Sequence, residues 1–365
     1  MSFIHIKPYN DNKSISDYIT DLKYVYEFNK DLYEPNDSYS LKIYDEIRKY
    51  VISTNNKCPN IFLSDNNSVS GSTIAGLCEK FMYDEPISDT KSFYKSDVKI
   101  LYISTSADLN VNNISSYSDF NNCVLSDVLG ITEQSYTYNR VNIDPKNIFL
   151  IGTDETQLEN SELDIINDKK INMFSLQVLR KQGIQNVLKN VIDKCKGFTV
   201  HVVIDLSCIN KQYIKSVYRT FDEGFDIDEI KLITSNLSVL DVHSIDITNY
   251  NFTNTETNNM ICIIIIFSIL NYFTDCKQYI KNIDKHILIV NDFDENVWHI
   301  CKDIDETILS QFDKTDNIIV YNNKLYAITT VEEQIFEKNI YDTKYYTDCC
   351  LHPFDKIIML LNFIN

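Results

Sequence analysis

Glycine is scarce in this chain, seven among 365 residues, against roughly 7% in an average protein. So few leave little room for glycine-built phosphate cradles. No G-x-G-x-x-G, no P-loop and no G-x-S-x-G elbow occurs. Basic clusters are lacking too. The formal net charge is -18, and Arg180, Lys181 and Lys189 are dispersed as on a helix surface. Nucleic-acid phosphates and acidic membranes are held through clustered Lys and Arg, so neither is expected as a partner. The longest apolar run, Met260 to Phe273, contains Ser268 and Asn271. It falls short of the about 20 residues a membrane span needs and reads as a buried helix. The start, MSFIHIKPYN, lacks the basic, apolar and small-residue order of a signal peptide. The ten cysteines form no C-x-x-C pair, and Cys349, Cys350 and His352 have no second ligand pair at zinc spacing. Free thiols in a reducing cytoplasm are the expectation.

What is abundant is Asn, Ile, Asp, Lys and Tyr, the bias of an AT-rich genome such as those of some parasites and large DNA viruses. The 24 Tyr and 19 Phe fit interaction surfaces, although the same bias supplies them. Short β-branched runs at Asn60–Leu63, Val98–Ile103, Asn147–Gly152, Phe198–Ile204 and Leu240–Ile247 read as buried strands. Between them, Ile74, Leu77, Cys78 and Phe81 share one helical face, as do Val187, Leu188, Val191 and Ile192. This alternation predicts an α/β protein with a parallel sheet. Phe3–Ile6 reads as a first strand and Leu41 to Val51 as a helix capped by Ser40. Ligands of such sheets sit beyond the strand carboxyl ends. The loops opening at Ser64, Ser104, Thr153, Asp205 and Thr248 should therefore cluster.

Beyond about Asp275 the pattern changes, dividing the chain into 1–275 and a C-terminal α+β appendage, 276–365. There, strands are expected at His286–Val290, Val297–Cys301, Ile318–Tyr321 and Lys324–Thr329, the last two joined as a hairpin at Asn322-Asn323. Helices are expected at Asp303–Phe312 and Val331–Lys338.

Five collinear segments between about residues 58 and 275 resemble the arginase/agmatinase/formiminoglutamase family. NIFLSDNNSVSGSTIAGL resembles its strand running into Gly-Gly-Asp-His-Ser, and VKILYISTSADLN its strand ending in Asp-Ala-His-x-Asp. The segment from Asn147 resembles its substrate loop and long helix. HVVIDLSCIN stands where the family has Ser-x-Asp-x-Asp-x-x-Asp-Pro, and LDVHSIDITNYNF where it has Asp-Ile-x-Glu-x-Asn-Pro. The resemblance implies a three-layer α/β/α sandwich and trimers or hexamers. In the family, two His and four Asp hold two Mn²⁺ ions that activate a water for attack on a guanidinium carbon.

Carried over by position, those ligands are Asn67, Ser104, Ser106, Asp108, Asp205 and Ser207, so only Asp108 and Asp205 keep their chemistry. The family's proton-shuttling His becomes Asn121, its guanidinium-pairing Glu becomes Asn249, and its substrate-loop Asp residues become Glu155 and Gln157. Ser64-Asp65 replaces Gly-Gly. The expectation is a pseudoenzyme with no catalytic residue, metal or cofactor, acting as a structural or protein-interaction scaffold and self-associating. The alternative is a repurposed hydrolase or small-molecule binder using this pocket with one metal ion or none. Asp108 and Asp205 read as loop carboxylates satisfied by backbone N–H groups, with a single Mg²⁺ or Ca²⁺ helped by Asp65 as the sharper reading. Cys123, beside Asn121, reads as a core thiol, and His243 and His201 as sheet-face residues.

Overall fold

The computed structural model describes residues 142–252 without interruption, together with 2–6, 24–26, 37–54, 59–64, 67–84, 94–111, 122–132, 256–270 and 272–273. Farther on it describes 288–290, 317–321, 324–328, 334–339 and 342–347. In chain order the elements are β1 (Ser2–Ile6), β2 (Tyr24–Tyr26), α1 (Asp37–Ser53), β3 (Asn60–Ser64) and α2 (Val69–Lys80). Then come β4 (Met82–Asp84), β5 (Tyr94–Ser96), β6 (Lys99–Ile103), α3 (Val124–Val128), β7 (Asn142–Ile143) and β8 (Ile148–Ile151). They are followed by α4 (Asn160–Lys169), β9 (Asn172–Phe174), α5 (Leu176–Gln182), α6 (Ile184–Cys195) and β10 (Val200–Asp205). The α/β region closes with α7 (Ile227–Leu237), β11 (Val242–Thr248) and α8 (Glu256–Leu270).

Eight strands form one sheet in the order β2-β1-β3-β11-β10-β6-β8-β9, every pair parallel. Because β3, β6, β8 and β10 are buried along nearly their whole length, their residues read as apolar runs rather than alternating ones. One core packs Ile74, Leu77 and Cys78 of α2 and Leu125 and Val128 of α3 against Phe62, Ile100, Tyr102, Leu150 and Val203 of the sheet. Helices α5 to α8 pack in series as the other layer. In helix α8 the described side chains of Ile261, Cys262, Ile263, Ile265, Ile266, Ile269 and Leu270 are all buried, as an apolar run of this length requires.

Two of the scarce glycines stand at close approaches. A Cβ on Gly76 would lie 2.8 Å from the Arg48 carbonyl oxygen, so this glycine lets α2 press against α1. Gly152 has φ +89, and a Cβ there would lie 2.3 Å from the Phe225 ring. Phe225 belongs to the long loop between β10 and α7. That loop is held by Arg180 of α5, which donates to both Glu229 carboxylate oxygens at 2.7 Å and to the Gly224 carbonyl at 3.1 Å.

Two element readings are corrected. Helix α1 begins at Asp37, so Ser40 lies in its first turn rather than capping it. Val331–Lys338, expected as a helix, instead contributes to a strand. Strands β12 (Leu288–Val290), β13 (Asn317–Tyr321), β14 (Lys324–Ile328), β15 (Gln334–Asn339) and β16 (Asp342–Thr347) form an antiparallel sheet in that order. Ladder partners on both sides of β15 outweigh a weak 3.6-residue pattern in so short a segment. Strands β13 and β14 pair antiparallel with Tyr321 opposite Lys324, as the expected hairpin requires. Val297–Cys301, Asp303–Phe312 and the Cys349, Cys350, His352 cluster lie outside the described residues. The chain divides by contacts into two units, 1–16 with 21–278, and 17–20 with 279–365.

Candidate functional site

The parallel pairing of β3, β11, β10 and β6 sets their carboxyl ends side by side. There the side chains of Asn67, Ser104, Ser106, Asp108, Asp205 and Ser207 are joined in one hydrogen-bonded network, buried except at the half-buried Ser106. Asp205 is the last residue of β10. Its Oδ1 accepts from the Ser207 amide at 2.9 Å and hydroxyl at 2.7 Å, as a carboxylate does when a turn folds back over it. Its Oδ2 accepts from Ser104 Oγ at 3.1 Å. Ser104 and Ser106 hydroxyls stand 3.1 Å apart, and Ser106 Oγ lies 2.8 Å from Asp108 Oδ1.

Asp108 is 3% exposed and has φ +49, a left-handed conformation that Asp tolerates better than most residues. Asp205 is met partly by a backbone N–H group, as expected, but the bonds to Asp108 come from side chains. Tyr102 Oη and Asn67 Nδ2 both donate to its Oδ2. Asn67 Nδ2 also donates to Tyr102 Oη at 2.7 Å, and its Oδ1 accepts from Thr248 Oγ1 of β11 at 3.1 Å. Thr248 was expected near the site as a strand-end loop opening, whereas Tyr102 is a member that sequence reasoning passed over. The signal was present, since Tyr102 precedes Ser104 by two residues on a strand and shares its face.

Each serine hydroxyl has a single proton. If Ser104 donates to Asp205 and Ser106 to Asp108, none is left for the Ser104–Ser106 contact. All three contacts are hydrogen bonds only when one carboxyl is protonated. Burial, with the Asp205 charge adding to it, pushes the Asp108 carboxyl up to about 7 against the opposing Tyr102 and Ser106 hydrogen bonds. Asp108 is therefore the carboxyl that takes up the proton as pH falls from neutrality. The chain of donors then runs from Asp108 through Ser106 and Ser104 to Asp205. Burial, the charge on Asp108 and the hydrogen bond to it also raise the Tyr102 phenol well above its ordinary value.

The family model described as "Arginase family" matches residues 9–270. This chain belongs to the arginase family. An arginase of Plasmodium berghei (strain Anka) is 24% identical over 165 residues, 43% of this chain. That match spans 46% of the relative's own length. Among solved structures, Entamoeba histolytica arginase in complex with L-ornithine superposes with TM-score 0.56 at 19% identity, over 64% of this chain and 76% of that one. Bacillus caldovelox arginase gives TM-score 0.58 at 16% identity, over 74% and 97%. Bacillus subtilis formimidoylglutamase gives 0.53 at 13%, over 74% and 86%. These confirm the expected arginase-like α/β/α fold.

Among the described residues, the carried-over positions Glu155, Gln157 and Asn249 of this arginase-family chain do not join the network. Glu155 and Gln157 lie exposed in a single 3-10 turn after β8, N-capped by Asp154. Asn249 follows β11 at φ +64, its carbonyl accepting from the Tyr218 amide at 3.1 Å. Asp65 and Asn121 lie outside the described residues. The Cys123 thiol is buried.

A second polar cluster lies beneath α2, farther from the strand ends. His201 Nδ1 stands 2.7 Å from Ser244 Oγ, and Nε2 stands 3.2 Å from Asp246 Oδ2, which also accepts from Thr73 Oγ1. His201, Ser244 and Asp246 are all at most 1% exposed, which suits a structural role rather than contact with a substrate. His243 is half-buried against the Phe81 ring edge and near Lys80 Nζ. Burial first, and then the Lys80 charge, lower its basicity. Among the described residues, no group of three or more His, Cys, Asp or Glu is placed to hold a metal ion. No helix among them is long and apolar enough to cross a membrane.

Proposed function

We propose that this arginase-family chain is a pseudoenzyme, retaining the fold as a structural or protein-interaction scaffold without hydrolysing guanidino compounds. The observation that carries this reading is the composition of the strand-end network. Two Mn²⁺ ions need several anionic or imidazole donors to compete with hydration. Here the six positions offer only two carboxyls, and four neutral side chains already bonded to them. This donor set does not suit the binuclear metal. Small neutral groups also relieve the repulsion that a full set of metal-free carboxylates would suffer at this depth.

The test is urea release from arginine and agmatine by the purified protein, with and without added Mn²⁺. No release above a no-protein control is expected. Release that Asp108→Ala abolishes would overturn the proposal. A pull-down from the native source would identify the partner, and self-association is read from mass in solution.

One observation favours the second reading, a small-molecule binder at the strand ends. Among the described residues, the side-chain oxygens of Thr105, Thr153 and Asn110 and the Asn122 amide nitrogen are buried without partners on loops at this end of the sheet. Arg219 donates to Asn122 Oδ1 at 3.0 Å beside them. A thermal-shift screen of small polar compounds distinguishes the readings, since a binder is stabilised by its ligand and a scaffold is not.

A further inference from the structure

We propose that Tyr102 is the residue that closes this site to a divalent cation, so that reinstating the missing ligand types alone does not restore metal binding. The inference rests on the pseudoenzyme reading and adds to it a specific steric cause. A cation shared by residue 67 and Asp108 would have to lie within about 2.0–2.6 Å of a donor atom on each. The phenolic oxygen stands at that location, 2.7 Å from Asn67 Nδ2 and in a hydrogen bond to Asp108 Oδ2. Asn67 Nδ2 itself donates to the same Oδ2. The three atoms touch one another, leaving no volume between them for an ion.

The ring is held by its surroundings. Tyr102 is fully buried in the core cluster formed by β6, α2 and α3, and a close-packed interior offers no void into which so large a side chain could turn. Nor does the hydroxyl serve as a ligand where it stands. A neutral phenol is a weak donor to a hard cation, and its proton is committed to Asp108. The tyrosine therefore replaces what the metal would contribute at this corner. It bonds a residue after β3 to a residue after β6, and Thr248 Oγ1 extends the link to β11.

The experiment compares three full-length proteins: the native chain, the variant N67H/S104D/S106H/S207D, and the same variant with Y102F added. Mn²⁺ affinity is measured by thermal shift and by metal content after dialysis, with far-UV circular dichroism as the check on folding. The five-substitution protein should bind Mn²⁺ at least tenfold more tightly than the four-substitution protein and melt several degrees higher in its presence. Equal binding by the two would overturn the role of Tyr102 while leaving the pseudoenzyme reading intact. Folded proteins that both fail to bind would overturn it as well. Stoichiometric Mn²⁺ retained by the native chain would sink the pseudoenzyme reading and this inference with it. Should the heavily substituted proteins not fold, S104D and Y102F/S104D form a smaller pair with the same logic. Here a Mn²⁺-dependent shift only in the double variant supports the role, and equal shifts or none in both overturn it.

Discussion

At Asp108 a fully buried carboxyl sits among a phenol, an amide and a serine, and its affinity for a proton has consequences for stability. Its folded value of about 7 lies above the roughly 3.9 of an unfolded aspartate. Between these values the folded chain binds more protons than the unfolded one, so the unfolding free energy falls as pH rises. The contribution is favourable below about pH 4, declines through the interval, and is fully lost above about 7. Asp108→Asn keeps an acceptor toward Tyr102 and Asn67 and places an N–H donor toward Ser106, the arrangement of the protonated acid. It also tolerates the left-handed backbone. We expect this variant to gain on the order of 2–4 kcal/mol relative to the native chain between pH 4.5 and 8. Urea denaturation at the two pH values measures the gain, and an unchanged pH slope in the variant would contradict the assignment of the proton to Asp108.

Elements are tied together by polar groups as well as by the apolar core. Asp246 on β11 joins His201 on β10 to Thr73 on α2, all within the interior. Removing it leaves the buried His201 Nε2 without its partner and the Thr73 hydroxyl with the Ser70 carbonyl alone, so Asp246→Ala should destabilise by about 3 kcal/mol. Ser244→Ala, which deletes one neutral hydrogen bond, should cost about 1 kcal/mol. Equal losses for the two would show that the His201–Asp246 contact carries no special weight. The α1–α2 contact makes a different demand, because the Arg48 backbone leaves no space for a side chain at position 76. Gly76→Leu must push the helices apart and should lower stability by about 2–3 kcal/mol. A thermal melt reads this directly, and a variant melting with the native chain would mean the helices separate at no cost.

For the molecule as a whole, the two units make separate predictions. Met1–Ser16 with Asp21–Gln278 contains the entire parallel sheet, the core and the site. The antiparallel five-stranded sheet lies in the other unit. We propose that this added sheet serves assembly or partner contacts. A chain ending at Gln278 should then keep the α/β circular-dichroism signature while showing a smaller mass in solution or losing partners in a pull-down. A folded truncated protein with unchanged mass and partners would leave the sheet without this role.

By itself the sequence determined the class of fold. Strands buried on both faces leave unbroken β-branched runs, and the crossover spacing between them admits few arrangements but a parallel α/β sheet. It also determined that the strand-end loops were to be examined, because ligands of such sheets sit beyond the strand carboxyl ends, and the resemblance to the arginase family supplied the individual positions. Order within the antiparallel sheet was less legible. A segment such as Gln334–Asn339 carries a pattern compatible with helix or strand, and only its ladder partners decide. The tertiary structure alone decided which side chains complete the site. Tyr102 looks like one more core aromatic, and Thr248 stood out only as the opening of a strand-end loop. Their hydroxyls become part of the network because parallel pairing brings the ends of four strands, distant in sequence, within hydrogen-bonding distance. Contacts of that kind depend on register and side-chain direction across the sheet, and neither is written in the local pattern of any one strand.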